Sequence, residues 1–355
     1  MSHLPLSRRN VVKGVGALST ASFLPGMVQA QTQELVIVAT GGAFEKALKD
    51  FFYDEFTKQT GIRIRPVAAS NSETWTKLRA MQQTNNIEWD IVTSWPEDLV
   101  AQQALIETFD CGRLTNLAAQ GVPEACQSRG LLRTLGAVTI AFDRSKYPEG
   151  GPRNWADFWD VQKFPGPRAL PNAGAPWWPL MAALMADGVA KDKLFPLDLD
   201  RAFKKLDQLR PNVNVWWRTG DQSQQMFRSG EVTMAMMWSG RAFALADQNM
   251  PLEVVWAGAP PNTALWSIVK GTKNTEAAIK FLDFFMGRPE AHLPFANAVN
   301  FDTANRSVLG SLTPAQLKTK VTAPGNAVQL AVMDAAWVAE NRAALLERWN
   351  RWLAR

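Results

Sequence analysis

The sequence predicts an α/β fold of two lobes, each a mainly parallel sheet flanked by helices, with a ligand cleft between them. Three observations predict it. Short apolar runs alternate with segments of helical periodicity, the pattern of α/β structure. The chain has 355 residues, close to the size at which a single hydrophobic core stops growing. Predicted strands also run into helix starts through small or polar residues at 40–43, 70–72, 93–95, 171–177 and 238–241. In open α/β sheets, ligands bind at such strand ends, where helix amino termini present free N–H groups.

The elements follow in order. Residues 35–39 form an apolar strand stopped by Gly41 and Gly42, and 44–59 carry Phe44, Leu48, Phe51, Phe52 and Phe56 at helical spacing up to Gly61. A second strand at 62–69 meets Ser70 and Glu73, a capping box that opens a helix over 74–82. A third strand spans 90–93, and a fourth 136–142. A new unit then begins, with a short helical turn at 154–159, strands at 168–170, 214–217 and 231–238, and helices at 176–186, 199–209 and 223–228. Residues 232–237 are apolar on both faces, as a central parallel strand requires. Strands at 252–256 and 265–270 and a helix at 275–286 follow, and the tail from 314 is mainly helical.

Composition narrows the chemistry. There are two histidines, and His3 lies in a leader, so a histidine-rich metal site is excluded and any catalytic triad rests on His292 alone. Residues 1–30 combine Arg8 and Arg9, Lys13, a short weakly apolar stretch and a small-residue cleavage site. These are the parts of a twin-arginine export signal. No cysteine precedes Cys111, so no lipid anchor is expected at the cleavage site, and the mature chain is expected free in the periplasm. Without the leader the formal charge falls from +5 to +2, because three basic residues leave and no acid does; nucleic acid is not an expected partner. In an oxidising compartment Cys111 and Cys126 are expected to form a disulfide, the alternative being two buried thiols.

Several motifs, in this order, carry a resemblance: Gly41, Gly42, Phe44 and Glu45; Ser70 to Glu73; Trp155 to Trp159; Phe164 to Gly166; Gly230 to Val232; Trp238 to Arg241; and Trp337 to Arg342 with Trp349. Together they make the chain resemble the periplasmic solute-binding proteins of ABC transporters, in the spermidine/putrescine-binding group (extracellular solute-binding family 1). That resemblance implies a two-lobed type II periplasmic binding protein that closes on a small-molecule ligand and delivers it to the permease subunits of the inner membrane. It implies no chemistry; the chain is expected to be a monomer without a cofactor. The lobes are expected at 31–139 with 260–299 and at 140–259 with 300–355.

The candidate ligand residues are Gly42, Phe44, Ser70, Asn71, Ser94, Trp95, Trp177, Trp217, Arg218, Trp238, Arg241 and Trp266. Tryptophan faces suit amines and aliphatic stems, and the chain has 15 tryptophans. Neighbours on a helix or strand diverge, so only one of Trp177 and Trp178, and one of Trp216 and Trp217, can face the cleft. Polyamine binders carry an acid where this chain has Trp266, and a neutral loop where it has Arg218. An anion lost and a cation gained favour a solute with a carboxylate at one end, such as an ω-amino acid, held by Arg218. A true polyamine ligand, paired to Asp221, Glu97 or Asp98, is the alternative. A secreted enzyme and a chemoreceptor-presenting protein are further readings; against the enzyme stands the absence of a Gly-x-Ser-x-Gly or phosphate-loop motif.

Overall fold

The computed structural model describes residues 33–122, 125–308 and 312–355; the expected leader lies outside the described residues. The chain begins with β1 (Glu34–Ala39) and a helical segment made of α1 (Gly42–Leu48), a π-helical stretch (Lys49–Tyr53) and α2 (Asp54–Thr60). Phe44, Leu48, Phe52 and Phe56, four residues apart, turn to one buried face. Gly61, at φ 74°, ends the segment. Next come β2 (Arg63–Ala68), α3 (Asn71–Thr84), β3 (Ile91–Ser94), α4 (Asp98–Ala101), α5 (Leu117–Gln120) and β4 (Cys126–Gln127). Ser70 and Glu73 close the predicted capping box. Cys111 and Cys126 are bonded, with Cα atoms 6.0 Å apart.

The long β5 (Gly130–Asp143) leads to α6 (Trp155–Trp159), β6 (Arg168–Pro171), α7 (Trp177–Ala186), α8 (Leu199–Leu209), β7 (Val213–Trp217) and α9 (Gly220–Arg228). After β8 (Met234–Trp238), α10 (Ser239–Ala246), β9 (Leu252–Val255) and β10 (Pro261–Ile268) come α11 (Thr275–Met286), α12 (Pro289–Val299) and β11 (Asp302–Thr303). The short α13 (Pro314–Leu317) and α14 (Pro324–Ala327) precede α15 (Ala335–Leu353).

The strand order is β2-β1-β3-β10-β5-β8-β6-β7, with β4, β9 and β11 also on β5. Each lobe keeps a parallel trio, β2-β1-β3 and β8-β6-β7. The strands between the trios are antiparallel: β10 lies against β3 and β5, and β5 against β8. β5 threads both half-sheets, pairing with β10 over its first half and with β8 and β9 over its second. It starts six residues before the strand predicted at 136, because Leu131, Leu132, Thr134 and Leu135 also pair with β10, with Arg133 at the register shift between them. The sequence reading also lacks α12. Pro289 sits at that helix's start, where the missing N–H is harmless, and Pro294 lies inside it.

Two main cores result. The first joins β1, β3 and β10 to Phe52, Phe56, Phe281 and Phe285, and the second gathers Trp155, Phe158, Trp177, Trp178, Trp349 and Trp352. His292 is fully buried in the first, its ring nitrogens against the Thr303 hydroxyl at 3.0 Å and the Phe285 carbonyl at 2.7 Å. It is a hydrogen-bonded core histidine.

Candidate functional site

The ends of the parallel strands in the two lobes face a shared cavity of about 280 Å³. Gly41 and Gly42, at φ 70° and 62°, turn β1 sharply into α1 and bring Thr40 and Phe44 to its wall. A Cβ on Gly41 would stand 2.9 Å from that of Ala68, so only glycine fits this approach of the first two strands. From the other lobe come Arg218, Thr219 and Gly220 at the amino terminus of α9, and Trp238 and Arg241 at that of α10. Ala68, Ala69, Ala264 and Phe301 complete much of the apolar wall.

Charge on this lining is unbalanced. Arg133, Arg218 and Arg241 face a single acid, Glu73. Glu73 is already occupied: its carboxylate accepts from the Ser70 amide and hydroxyl, which hold it below the ordinary carboxylate range. Arg241 pairs with Asp221 at 3.2 Å, and its guanidinium lies so near Gly220 that a Cβ there would meet Nε at 2.5 Å. Arg218 is exposed.

Arg133 is the unusual group. It is 3% exposed, on β5, and lies over the rings of Phe44 (4.6 Å) and Trp266 (5.6 Å). Its Nη1 donates to Thr93 Oγ1 at 2.8 Å. Nε is buried with no acceptor, and among the described residues no carboxylate pairs with it. Burial pulls the guanidinium down to about 10, which leaves it cationic at neutral pH. The indole N–H of Trp238 is a second buried donor on this wall without an acceptor. Buried donors of this kind call for an acceptor, and a buried unpaired cation calls for an anion.

Seven of the sequence candidates line the cavity: Phe44, Ser70, Asn71, Trp95, Arg218, Trp238 and Arg241. Five do not. Gly42 instead meets Asp221, whose Oδ2 lies 3.2 Å from where a Cβ would be. Ser94 is fully buried and shares a 2.7 Å hydrogen bond with Ser267. Trp177 is buried in the second core, below Trp95. Trp217 supports Trp238 edge-on at 5.1 Å and donates to the Met236 carbonyl. Trp266 packs on Phe281 and Phe285, and meets the cavity lining through Arg133 and through its strand partner Thr93. Arg133, Asn262 and Phe301 are absent from the sequence candidates. A lone arginine inside the apolar run 131–135 was the available signal for the first; nothing local marks the other two.

Asn71 is held from behind. Its Nδ2 donates to Asp98 Oδ2 at 2.8 Å and its Oδ1 accepts from Arg342 Nη2 at 2.8 Å, while Arg342 Nη1 pairs with Asp98. The Trp95 amide donates to the same Asp98 carboxylate. Asn71 and Trp95, two residues of the cavity lining, are thus tied directly or through Asp98 to Arg342 on α15.

Fold and cavity define a two-lobed solute-binding protein of type II, with a cavity between the carboxyl ends of its strands. The chain belongs to the bacterial extracellular solute-binding protein family, whose model matches residues 52–325. It is 32% identical to the gamma-aminobutyric acid-binding protein of Pseudomonas aeruginosa, over 92% of this chain and 93% of that one. It is 24% identical to the spermidine/putrescine-binding periplasmic protein of Escherichia coli, over 76% and 78%. Among solved structures, an ABC transporter substrate-binding protein from Bradyrhizobium japonicum superposes with a TM-score of 0.81 at 31% identity, covering 90% of this chain and 99% of that one. The Atu4243 GABA receptor superposes at 0.79 and 30% identity, covering 90% and 97%.

Proposed function

We propose that this chain is the solute-capturing component of an ABC importer and that its solute is a linear ω-amino acid of the γ-aminobutyrate type. The observation that carries this is Arg133, a buried cation with no acid beside it on a tryptophan-lined wall. A ligand carboxylate pairs with that guanidinium and with the Trp238 N–H. Arg218 and Arg241 add positive potential at the rim, and Trp95 and Trp238 cover the aliphatic stem. Gly42, Ser94, Trp177, Trp217 and Trp266 act at one remove, by supporting the wall. A polyamine brings two or more ammonium groups to a lining with a surplus of arginines, which is repulsive.

The rest of the reading is coherent with this role. A twin-arginine leader at 1–30 delivers the folded chain to the periplasm. There a monomer divided into lobes at 31–139 with 260–299 and 140–259 with 300–355 closes on its solute and docks on the permease, without chemistry of its own. Replacing Arg8 and Arg9 with Lys should leave precursor in the cytoplasm. A thermal-shift series of γ-aminobutyrate, β-alanine, 5-aminopentanoate, putrescine and spermidine tests the ligand class, since a solute at about 100 times its Kd adds about 2.7 kcal/mol. Stabilisation by the amino acids and none by the diamines is expected. The reverse order overturns the reading.

A further inference from the structure

Behind Trp95 lies a second cavity, of about 190 Å³, with Trp95, Glu97, Trp178, Pro261 and Met333 among its walls. Trp95 and Asn262 line both this cavity and the larger one, so they form the partition between them. Its chemistry is the opposite of the first. Glu97 is 1% exposed, and among the described residues its buried Oε2 meets no donor. The charged groups that face Glu97 are Asp98, next to it in the chain, and Arg342 on α15. Arg342 is committed elsewhere, one amino group to Asp98 and the other to Asn71. Two indoles, Trp95 and Trp178, pack on each other with centroids 5.3 Å apart and line the same cavity as Glu97.

An acceptor without a donor, in a small aromatic enclosure, is the surrounding that suits a compact cation. We propose that this second cavity is an ammonium subsite, in which Glu97 binds a primary alkylammonium group against the cavity-facing sides of Trp95 and Trp178. Its basis is separate from that of the carboxylate end. Burial first, and the Asp98 carboxylate second, push Glu97 up to about 8, with Arg342 opposing. The carboxyl therefore carries a proton at pH 6.5. Binding an ammonium there expels that proton to the buffer and leaves an ion pair, about one proton released for each ammonium bound.

Calorimetry with n-propylammonium at pH 6.5, in two buffers of different ionisation enthalpy, tests this on the full chain. Saturable binding with proton release is expected, weakened at least about tenfold in Glu97→Gln. A repeat at saturating γ-aminobutyrate separates two sources. Unchanged binding assigns the subsite to a free amine, and competition assigns it to the ammonium end of the solute itself; both support the subsite. The proton count is made on unaltered protein, so it stands even if the variant fails to fold. No saturable binding, no proton release, or equal affinity in a folded Glu97→Gln overturns the proposal.

Discussion

The guanidinium of Arg342, on the last helix, pairs with the fully buried carboxylate of Asp98. Removing one partner of a buried ion pair leaves the other charge unmatched, which destabilises by about 3–5 kcal/mol. Asp98 also accepts from the Trp95 amide and from Asn71, two cavity residues. Asp98→Ala should therefore lower both the melting temperature and solute affinity. An exposed pair such as Arg351 with Glu347 should be nearly silent when broken, at about 0–1 kcal/mol. Chemical denaturation of both variants checks the contrast.

Arg133 should behave in the opposite way. Its guanidinium is buried, and among the described residues no carboxylate pairs with it, so the unliganded protein gains little from its charge. Arg133→Met keeps much of the stem's volume and removes a desolvated cation. The unliganded protein should melt at the same temperature or higher, while γ-aminobutyrate affinity falls roughly 30-fold or more, the loss expected for truncating one side of a buried charge pair. Melting curves with and without solute give both numbers from one sample.

Acid should act through His292. Burial pulls its imidazole from 6.5 down to about 4. The unfolded chain takes up a proton as pH falls below about 6.5 and the folded chain does not until about 4, so the contribution is intact above that window and lost as pH falls through it. The full difference is about 3 kcal/mol. Glu97 has the opposite sign, because its carboxyl is raised and opposes folding as pH rises toward 8. The stability of His292→Gln relative to the parent should accordingly rise as pH falls from 7 to 4, the two slopes nearly cancelling in the parent itself, and Glu97→Gln should be relatively most stable at high pH. Urea titrations across pH 4–9 measure both.

The disulfide should matter to stability and not to binding. Cys111 and Cys126 close a loop worth about 3 kcal/mol in the chain-entropy model, and neither lines the solute cavity. Reduction should lower the melting temperature while a solute titration stays within a few fold.

Local signals made most of the architecture legible. The capping box at Ser70, the glycine stop at Gly61 and the two-sided apolar run at 232–237 each act within a few residues, and the corresponding elements are present. The site was less legible, because facing the cavity depends on register between distant strands. Trp177 and Trp217 fit the periodicity, yet both are turned into cores by partners far along the chain. Arg133 escaped because the predicted strand began at residue 136; its extension to Gly130 is set by pairing with β10, more than 120 residues later. The network through Arg342 joins residues 244 positions apart, and no periodicity reports that.

The most direct test compares γ-aminobutyrate with 4-aminobutanamide in calorimetric titrations of the mature chain. The two differ only at one end, where a neutral amide, with one acceptor oxygen and two N–H donors, replaces the acceptor-only carboxylate. If the buried arginine and the Trp238 N–H hold a carboxylate, the amino acid should bind and the amide should bind at least about 30-fold more weakly. Equal affinities, or tight binding of putrescine in place of either, would contradict a carboxylate at Arg133 and return the site to an amine binder.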